Sequence, residues 1–299
     1  MGAYYGLGLG LGGAPVPIRG SHLAVGGLIE QYPGAAAAYS LRALRNNTGN
    51  VVNVRRSSDN FEKEFTASQI ESGEMVNWVT EGSATADGFV ETWYDQSGNG
   101  RDATQSVAGN QPKIVDGGSL TTNDNGNPAI DFDGVNDFLT MNESSNPFDS
   151  DGDLSAFIYC DYSTTVVAGQ AYVFKFGPST IGTRFGRAYS ANIRVSFNDA
   201  AVNSAFVETA SAPTGDNLFS FVLDRSANLS FYQNGALVGT ADATVLTGDI
   251  DVSPKIIGAG SNAPVANYGA PITELIIYPS DQSATRTAIE GNINDYYNI

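Results

Sequence analysis

The sequence predicts an all-β protein: a jelly-roll sandwich with a short C-terminal helix and an extended N-terminal arm. Short runs rich in aromatic and β-branched residues, such as residues 172–176, 218–223 and 272–278, are separated by clusters of Gly, Asn, Asp and Pro. This alternation is expected of strands joined by turns. Asn234-Gly235 lies between two further runs, and Asn-Gly is a preferred turn of two-residue β-hairpins. Many short strands with such turns are typical of sandwiches and jelly rolls.

The composition supports one large domain. Hydrophobic residues make up 41% of the 299 residues and charged residues only 16%, so the chain can build a sizeable core. Between residues 35 and 299 the sequence contains no linker-like stretch and no repeat. We therefore divide it into an arm over residues 1–29 and a sandwich over residues 30–299.

The arm differs in pattern from the rest of the chain. Leucine and glycine alternate there with a period of two, which in an extended chain places the leucines on one face. Two interpretations stay open: a flexible leader, or an assembly arm that orders against another subunit at a sheet edge. The residues that would make the assembly contacts are Tyr4, Tyr5, Leu7, Leu9 and Leu11.

Two segments have helical periodicity. In residues 70–79 the apolar residues that approximate one face are Ile70, Met75, Val76 and Val79. Near the C-terminus, Ser283 is a candidate N-cap, and the residues that repeat at helical spacing are Ile289, Ile293 and Tyr296. We expect this last helix to pack on the sandwich.

Charge and residue counts argue against several function classes. The net charge of −17, from 15 Lys+Arg against 32 Asp+Glu, argues against nucleic-acid binding, which needs clustered cations. A single Cys160, expected to be buried, rules out an internal disulfide framework. A single His22 argues against a histidine-based catalytic triad or a His-rich metal site. No apolar run is long enough to span a membrane.

Three segments together resemble the catalytic domain of α-L-arabinofuranosidase B, glycoside hydrolase family 54. They are AYSLRALR at residues 38–45, VRRSSDN at residues 54–60 and WYDQSGNGRDATQ at residues 93–105. The second half is similar to a generic laminin-G or concanavalin A-like domain, through IDFDGVNDFL at residues 130–139, the Asn-Gly hairpin and IIY at residues 276–278. The resemblance implies a two-sheet jelly roll. The same combination, after a glycine-rich leader, resembles structural proteins of tailed bacteriophages.

The resemblance also indicates where catalytic carboxylates would lie. The family's nucleophilic Glu follows a turn that matches Phe176-Gly177, and its acid Asp lies in a turn that matches residues 258–262. No Asp or Glu occurs between Asp161 and Asp199, and none occurs in residues 252–273. A retaining glycosidase needs both carboxyl groups, so we expect no enzymatic activity.

Two acidic loops are candidate binding sites. The first group could line a sugar or cation site, or could stabilise its own loop through Asx turns; it comprises Asp95, Asn99 and Asp102. The second has the oxygen ligands that calcium prefers, or is a solvated acidic turn; it comprises Asp149, Asp151 and Asp153. Calcium is the one cofactor that these loops suggest. Trp78 and Trp93 are interpreted as packing residues on a helix face and in a strand.

From these observations we expect a non-catalytic structural protein of a tailed-phage virion, either a capsid decoration or head fibre, or part of a tail fibre. Its partners would be other virion proteins, sister subunits in a homo-oligomer, and host-surface glycans bound by the outward-facing jelly roll. The alternatives are a stand-alone carbohydrate-binding module, secreted or extracellular, and an α-L-arabinofuranosidase-like glycosidase with relocated carboxylates. Neither nucleic acid nor membrane insertion is expected.

Overall fold

The computed structural model describes residues 27–46, 49–142, 152–162, 170–178, 181–187, 192–250, 253–260 and 267–299. The chain folds as an all-β sandwich in which every described strand pairing is antiparallel. This confirms the predicted fold class. The strands are β1 (Ala37–Ser40), β2 (Asn50–Arg56), β3 (Glu62–Thr66), β4 (Gly88–Trp93), β5 (Ala103–Thr104), β6 (Lys113–Asp116), β7 (Ser119–Leu120), β8 (Ile130–Asp131), β9 (Leu139–Met141), β10 (Leu154–Asp161), β11 (Ala171–Phe176), β12 (Gly182–Arg187), β13 (Ile193–Asn198), β14 (Ser204–Glu208), β15 (Asp216–Leu223), β16 (Asn228–Gln233), β17 (Ala236–Asp242), β18 (Lys255–Ile257) and β19 (Pro271–Tyr278). The helices are α1 (Leu28–Gln31), α2 (Ala67–Glu71), α3 (Glu74–Val79) and α4 (Arg286–Tyr297).

The strands form two layers that join along one edge. The back layer has the order β17-β16-β15-β10-β19-β1. The front layer has the order β14-β13-β12-β11-β18-β9-β5-β4-β2-β3. Strands β6 and β8 connect the layers, because β6 pairs with β4 while β8 pairs with both β6 and β19.

The main core lies between the layers and is rich in phenylalanine. Phe174 of the front layer stacks on Phe176 and Phe185 at ring-centroid distances of 4.7 and 5.8 Å. Phe185 also contacts Phe219 of the back layer at 5.3 Å. Aromatic rings of this size bury large apolar areas and dominate core energetics. They therefore favour the register in which these faces of β11 and β12 point inward.

A second, smaller core covers the outer face of the back layer. Ile289 and Ile293 of α4 are fully buried there against residues of β10 and β19. Leu28 and Ile29 of α1 join the same cluster and are at most 5% exposed. The structure thus places the last residues of the predicted arm on the sandwich, because their side chains complete this apolar layer. No described helix is long and apolar enough to cross a membrane.

Most elements lie close to the positions that local sequence signals predict. Asn234 and Gly235 form the predicted two-residue turn between β16 and β17, with φ of 50° and 78°, as a type I′ hairpin requires. The single helix expected over residues 70–79 is instead two short helices, α2 and α3, interrupted at Ser72-Gly73. Cys160 and Trp93 are buried, and Trp78 packs partly buried against the core, as expected.

The C-terminal helix begins later than its sequence signal suggests. Ser283 is not the N-cap, because Asp281 holds it in a preceding turn by accepting hydrogen bonds from its backbone N–H and its hydroxyl. Thr285 occupies the N-cap position without a side-chain cap, and α4 starts at Arg286. The apolar spacing was a better guide to the helix than the capping residue.

Candidate functional site

The outer face of the front layer is the candidate binding surface. The outer face of the back layer is occupied by α1 and α4. Across the front, strand register brings together a row of five polar or charged side chains with one buried isoleucine and one exposed phenylalanine. Its members follow one another as cross-strand pairs: Thr104, Thr140, Ile256, Lys175, Arg184, Ser196 and Phe206. Seven strands at about 4.8 Å spacing make this row about 29 Å long.

Alternation along β11 explains why a lysine lies on this face. Phe174 and Phe176 point into the core, so Lys175 points outward. Lys175 is nevertheless only 7% exposed, and its Nζ donates a hydrogen bond to the Gly260 carbonyl, just after β18, at 2.8 Å. Burial lowers the pKa of Lys175, and the positive charge of Arg184 lowers it further.

Two arginines extend this positive region over β12 and β13. The Arg184 Nη1 donates to the Asn198 Oδ1 at 3.2 Å, and burial lowers the pKa of Arg184. The Arg194 Nη2 lies 2.7 Å from the Glu208 Oε2, and its guanidinium lies 4.4 Å from the Phe206 ring centroid. These contacts restrict the positions of both guanidinium groups on the face.

The arginines line a small cleft of about 50 Å³. Gly186 forms part of the lining, and a Cβ there would lie 2.2 Å from the Ala171 carbonyl oxygen, so the close approach of β11 requires glycine. The described residues that line the cleft are Gln170, Tyr172, Arg184, Gly186, Arg187, Arg194 and Ser196. They include three arginines and no carboxylate.

A wider groove lies farther along the same row. It has a volume of about 410 Å³ and is open to solvent. Four of its six lining residues carry a hydroxyl or amide group, although the lining is mainly apolar; the residues are Thr104, Thr140, Met141, Asn142, Ser253 and Pro254. Between the groove and the cleft lies a small apolar cluster of Phe138, Ile256 and Ala259.

The two turns that resemble catalytic turns lie at opposite ends of one strand pair. The Gly177 N–H donates to the Pro254 carbonyl at 2.7 Å, and the Gly258 N–H donates to the Val173 carbonyl at 2.8 Å. Because β11 and β18 pair antiparallel, Lys175 lies between these turns. The outer position between the two turns is thus occupied by a buried ammonium group.

The predicted site residues Asp95, Asn99 and Asp102 lie together, but their polar groups bind the protein itself. The Asp95 Oδ1 accepts from the backbone N–H groups of Ala38 and Ser97, both at 2.9 Å. The Asn99 Nδ2 donates to the carbonyls of Ala35 and Ala36, both at 3.0 Å, and the Asp102 Oδ1 accepts from the Asp95 N–H at 2.9 Å. The loop fastens the edge of β1, which fits the Asx-turn alternative better than a ligand site.

The acidic turn lies mostly outside the described residues, which include neither Asp149 nor Asp151. Asp153 is described, and its Oδ1 accepts from the Arg225 N–H at 2.9 Å. Across the described ranges, no three side chains of His, Cys, Asp or Glu are grouped as a metal site. The assembly residues Tyr4, Tyr5, Leu7, Leu9 and Leu11 also lie outside the described part of the chain.

Asp137 is expected to make folding stability depend on pH. Burial, together with the negative charges of Asp133 and Asp131, raises the pKa of this carboxyl to about 7. The unfolded value is about 3.9, so the folded state binds the extra proton between about pH 4 and 7 and stability falls as pH rises through this window. We expect Asp137→Asn to be about 1–3 kcal/mol more stable than the wild type at pH 8, with little difference at pH 4.

Denaturant unfolding at pH 4, 6 and 8 measures this effect. The side-chain amide introduced by Asp137→Asn could still accept, through its oxygen, the hydrogen bond that the Asp133 N–H donates to the Asp137 Oδ2 at 3.0 Å. Glu81→Gln is the matched control, since it removes one negative charge from a side chain that is 72% exposed. Equal gains in the two variants at pH 8 would assign the effect to net charge instead of to Asp137.

Sequence reasoning missed the positive face. A signal was present, because Lys175, Arg184, Arg187 and Arg194 fall within 20 residues that contain no Asp or Glu. In a chain of net charge −17, that segregation is unusual. Only the strand register shows that three of these cations, Lys175, Arg184 and Arg194, lie on one face.

No protein-family model and no curated protein matches the chain. Solved structures do match its fold. An arabinofuranosidase complexed with arabinofuranosyl-α-1,2-xylobiose superposes with a TM-score of 0.63 at 14% identity, over 90% of this chain and 64% of that one. A family 54 α-L-arabinofuranosidase soaked with a cyclic sulfate inhibitor gives 0.58 at 13% identity, with the same two coverages, 90% and 64%.

A binding domain also shares the fold. The binding domain of Paraclostridial Mosquitocidal Protein 1 superposes with a TM-score of 0.54 at 14% identity, over 70% of this chain and 50% of that one. The chain thus spans just under two thirds of the arabinofuranosidases and half of the toxin domain. One fold can host many functions. At sequence identities this low, the three similarities therefore establish only the β-sandwich architecture that these structures share with this chain.

Proposed function

We propose that this chain is a non-catalytic, glycan-binding β-sandwich whose binding surface is the outer face of the front layer. The observation that carries the proposal is the row from Thr104 to Phe206, which combines hydroxyl, cationic and aromatic side chains on one face. Sugars are recognised by such combinations of oriented polar groups with an aromatic ring. The turns that match the catalytic turns of the resembled glycosidase family, at Gly177 and Gly258, flank Lys175 of this row.

The absence of hydrolysis is part of the proposal. Hydrolysis with retention requires two carboxyl groups about 5 Å apart across the scissile bond. The sequence has no Asp or Glu in residues 162–198 or 252–273, which include both matching turns. The Lys175 ammonium between these turns could not act as the nucleophilic carboxylate.

Affinity electrophoresis tests glycan binding. We expect slower migration in gels that contain arabinoxylan, polygalacturonate or its methyl ester. Phe206, 48% exposed, offers a ring for stacking, so Phe206→Ala should weaken binding by about threefold to tenfold. Phe61→Ala removes a ring that is 65% exposed at the β2–β3 turn and should migrate like the wild type. Unchanged migration of the wild type in all three gels would contradict the proposal.

The same protein sample tests catalysis. We expect no release of 4-nitrophenol from 4-nitrophenyl α-L-arabinofuranoside above the rate in buffer. Turnover that a single Asp or Glu substitution abolished would support the glycosidase alternative.

For biological context, we propose that the sandwich is displayed on a tailed-phage particle as a head or tail fibre component, with the arm as its attachment. The leucine–glycine alternation of residues 7–12 supports this role. Light scattering should show an oligomer for the full chain and a monomer for a chain beginning at Gly27, which keeps the buried Leu28 and Ile29. A monomer in both cases would favour the stand-alone carbohydrate-binding module.

A further inference from the structure

We propose that the arginine-lined cleft of β11–β13 is an anion subsite that takes the carboxylate or sulfate group of an acidic sugar. This inference rests on the proposed function and narrows it to one class of glycan. Its basis is the placement of Arg184, Arg187 and Arg194 around one cleft, with the Lys175 ammonium in the adjacent position of the cross-strand row.

The charge distribution supports an anionic ligand. The protein carries 32 Asp+Glu against 15 Lys+Arg, so its overall field repels anions. The local charge of the cleft is opposite in sign, since its described lining has three arginines and no carboxylate. Glu208 neutralises part of the charge through its 2.7 Å ion pair with Arg194. The Lys175 ammonium, which donates to the neutral Gly260 carbonyl, adds positive charge beside the cleft.

Burial makes the charge of the Lys175 ammonium beside the cleft costly. Lys175 is 7% exposed and its described hydrogen-bond partner is a neutral carbonyl, that of Gly260. Burial lowers the pKa of Lys175, and the positive charge of the neighbouring Arg184 lowers it further. A bound anion would relieve this repulsion, and clefts with such perturbed groups are frequent functional sites.

The size and side-chain chemistry of the cleft define the group that fits. A water molecule requires about 10–15 Å³ by the same measure, so a cleft of about 50 Å³ admits a few waters or a single anionic substituent. A sugar ring would have to lie outside it, over the β13–β14 surface where Phe206 is exposed. Guanidinium groups bind carboxylate and sulfate-like oxygens through paired N–H donors.

The test follows the arginine side chains directly. The Nε–Hε signals of the full chain would be recorded by ¹H–¹⁵N NMR during titration with D-galacturonate, D-galactose 6-sulfate and D-galactose. We expect the Arg184 and Arg194 signals to shift in a saturable way with one or both acidic sugars, and to shift far less with galactose. The first two ligands distinguish a carboxylate subsite from a sulfate subsite.

Variants assign the effect to the cleft. Arg184→Gln should weaken binding of the acidic sugar about tenfold or more. Arg184→Lys should lose only part of the affinity, because it keeps the positive charge but not the paired N–H donors of the guanidinium group. Lys63→Gln is the control. It removes the same single positive charge as Arg184→Gln, but from a lysine of β3 that lies outside the row and pairs with Glu74 of α3. This variant should bind like the wild type.

The outcomes separate the two proposals. Equal shifts with galactose and the acidic sugars would overturn the anion subsite while leaving glycan binding intact. Absence of any shift at Arg184 and Arg194 would also overturn the subsite. The proposed glycan binding would still be tested independently, by the migration of the protein in gels that contain polysaccharide. Shifts with inorganic sulfate but with neither acidic sugar would identify an ion site that is not a sugar subsite.

Discussion

Replacing Glu274 by glutamine is expected to lower the free energy of unfolding by about 3–5 kcal/mol, since it leaves a buried arginine without its counter-ion. Glu274 is fully buried and Arg42 is 7% exposed. The Arg42 Nε and Nη2 donate to the two carboxylate oxygens of Glu274 at 2.7 and 2.9 Å. Burial by itself would lower the pKa of Arg42, but Glu274 outweighs it and holds this pKa above its usual value.

The ion pair matters because it joins α4 to the back layer. The hydroxyls of Ser40 and Tyr297 donate to the Glu274 Oε2 at 2.8 and 2.9 Å, and the Arg42 Nη1 donates to the Asn292 Oδ1 at 3.1 Å. Loss of the pair should therefore loosen α4 as well as β1. Urea unfolding measured by tryptophan fluorescence gives the stability change, and amide exchange in α4 locates it.

Two further variants test the cause. Arg42→Met combined with Glu274→Leu removes both charges and should cost much less than Glu274→Gln alone, because no unpaired charge remains buried. Glu81→Gln breaks an ion pair with Arg56 in which Glu81 is 72% exposed, and such surface pairs contribute little. A Glu274→Gln protein as stable as Glu81→Gln would contradict this account.

Sequence patterns predicted the elements of this fold better than the surfaces they create. The Asn234-Gly235 hairpin and the buried face of α4 depend on residues close in the chain, so local spacing reveals them. The row from Thr104 to Phe206 draws on seven strands whose order depends on distant pairings. A shift of one residue in any strand would reverse its side chains, and local patterns do not determine that register.

The acidic loop after β4 illustrates the opposite difficulty. Aspartates and an asparagine in a glycine-rich loop predict equally well a ligand site and a self-bonded turn. The choice depends on Ala35, Ala36 and Ala38, which lie some 60 residues earlier and accept or donate the loop's hydrogen bonds. The sequence therefore identified the polar side chains of this loop, but not the backbone groups to which they bind.

Asp95→Ala should accordingly destabilise the fold by about 2–4 kcal/mol while leaving the arginine cleft intact. The Asp95 carboxylate accepts four hydrogen bonds: from the Ala38 N–H, from the N–H and hydroxyl of Ser97, and from the Arg101 N–H, at 2.9, 2.9, 2.7 and 3.1 Å. Hydrogen bonds to a charged acceptor are stronger than neutral ones, and their loss leaves partly buried donors unpaired. Urea unfolding measures the loss.

The matched control for this variant is Asp242→Ala. The Asp242 Oδ1 accepts two bonds within one exposed turn, from the N–H and hydroxyl of Thr244, so its removal should cost far less. Amide exchange at Ala38 should accelerate in Asp95→Ala alone, because Asp95 accepts from that N–H across the open edge of β1. If Asp95→Ala instead kept wild-type stability and lost its response to galacturonate, this loop and not the arginine cleft would be the sugar site.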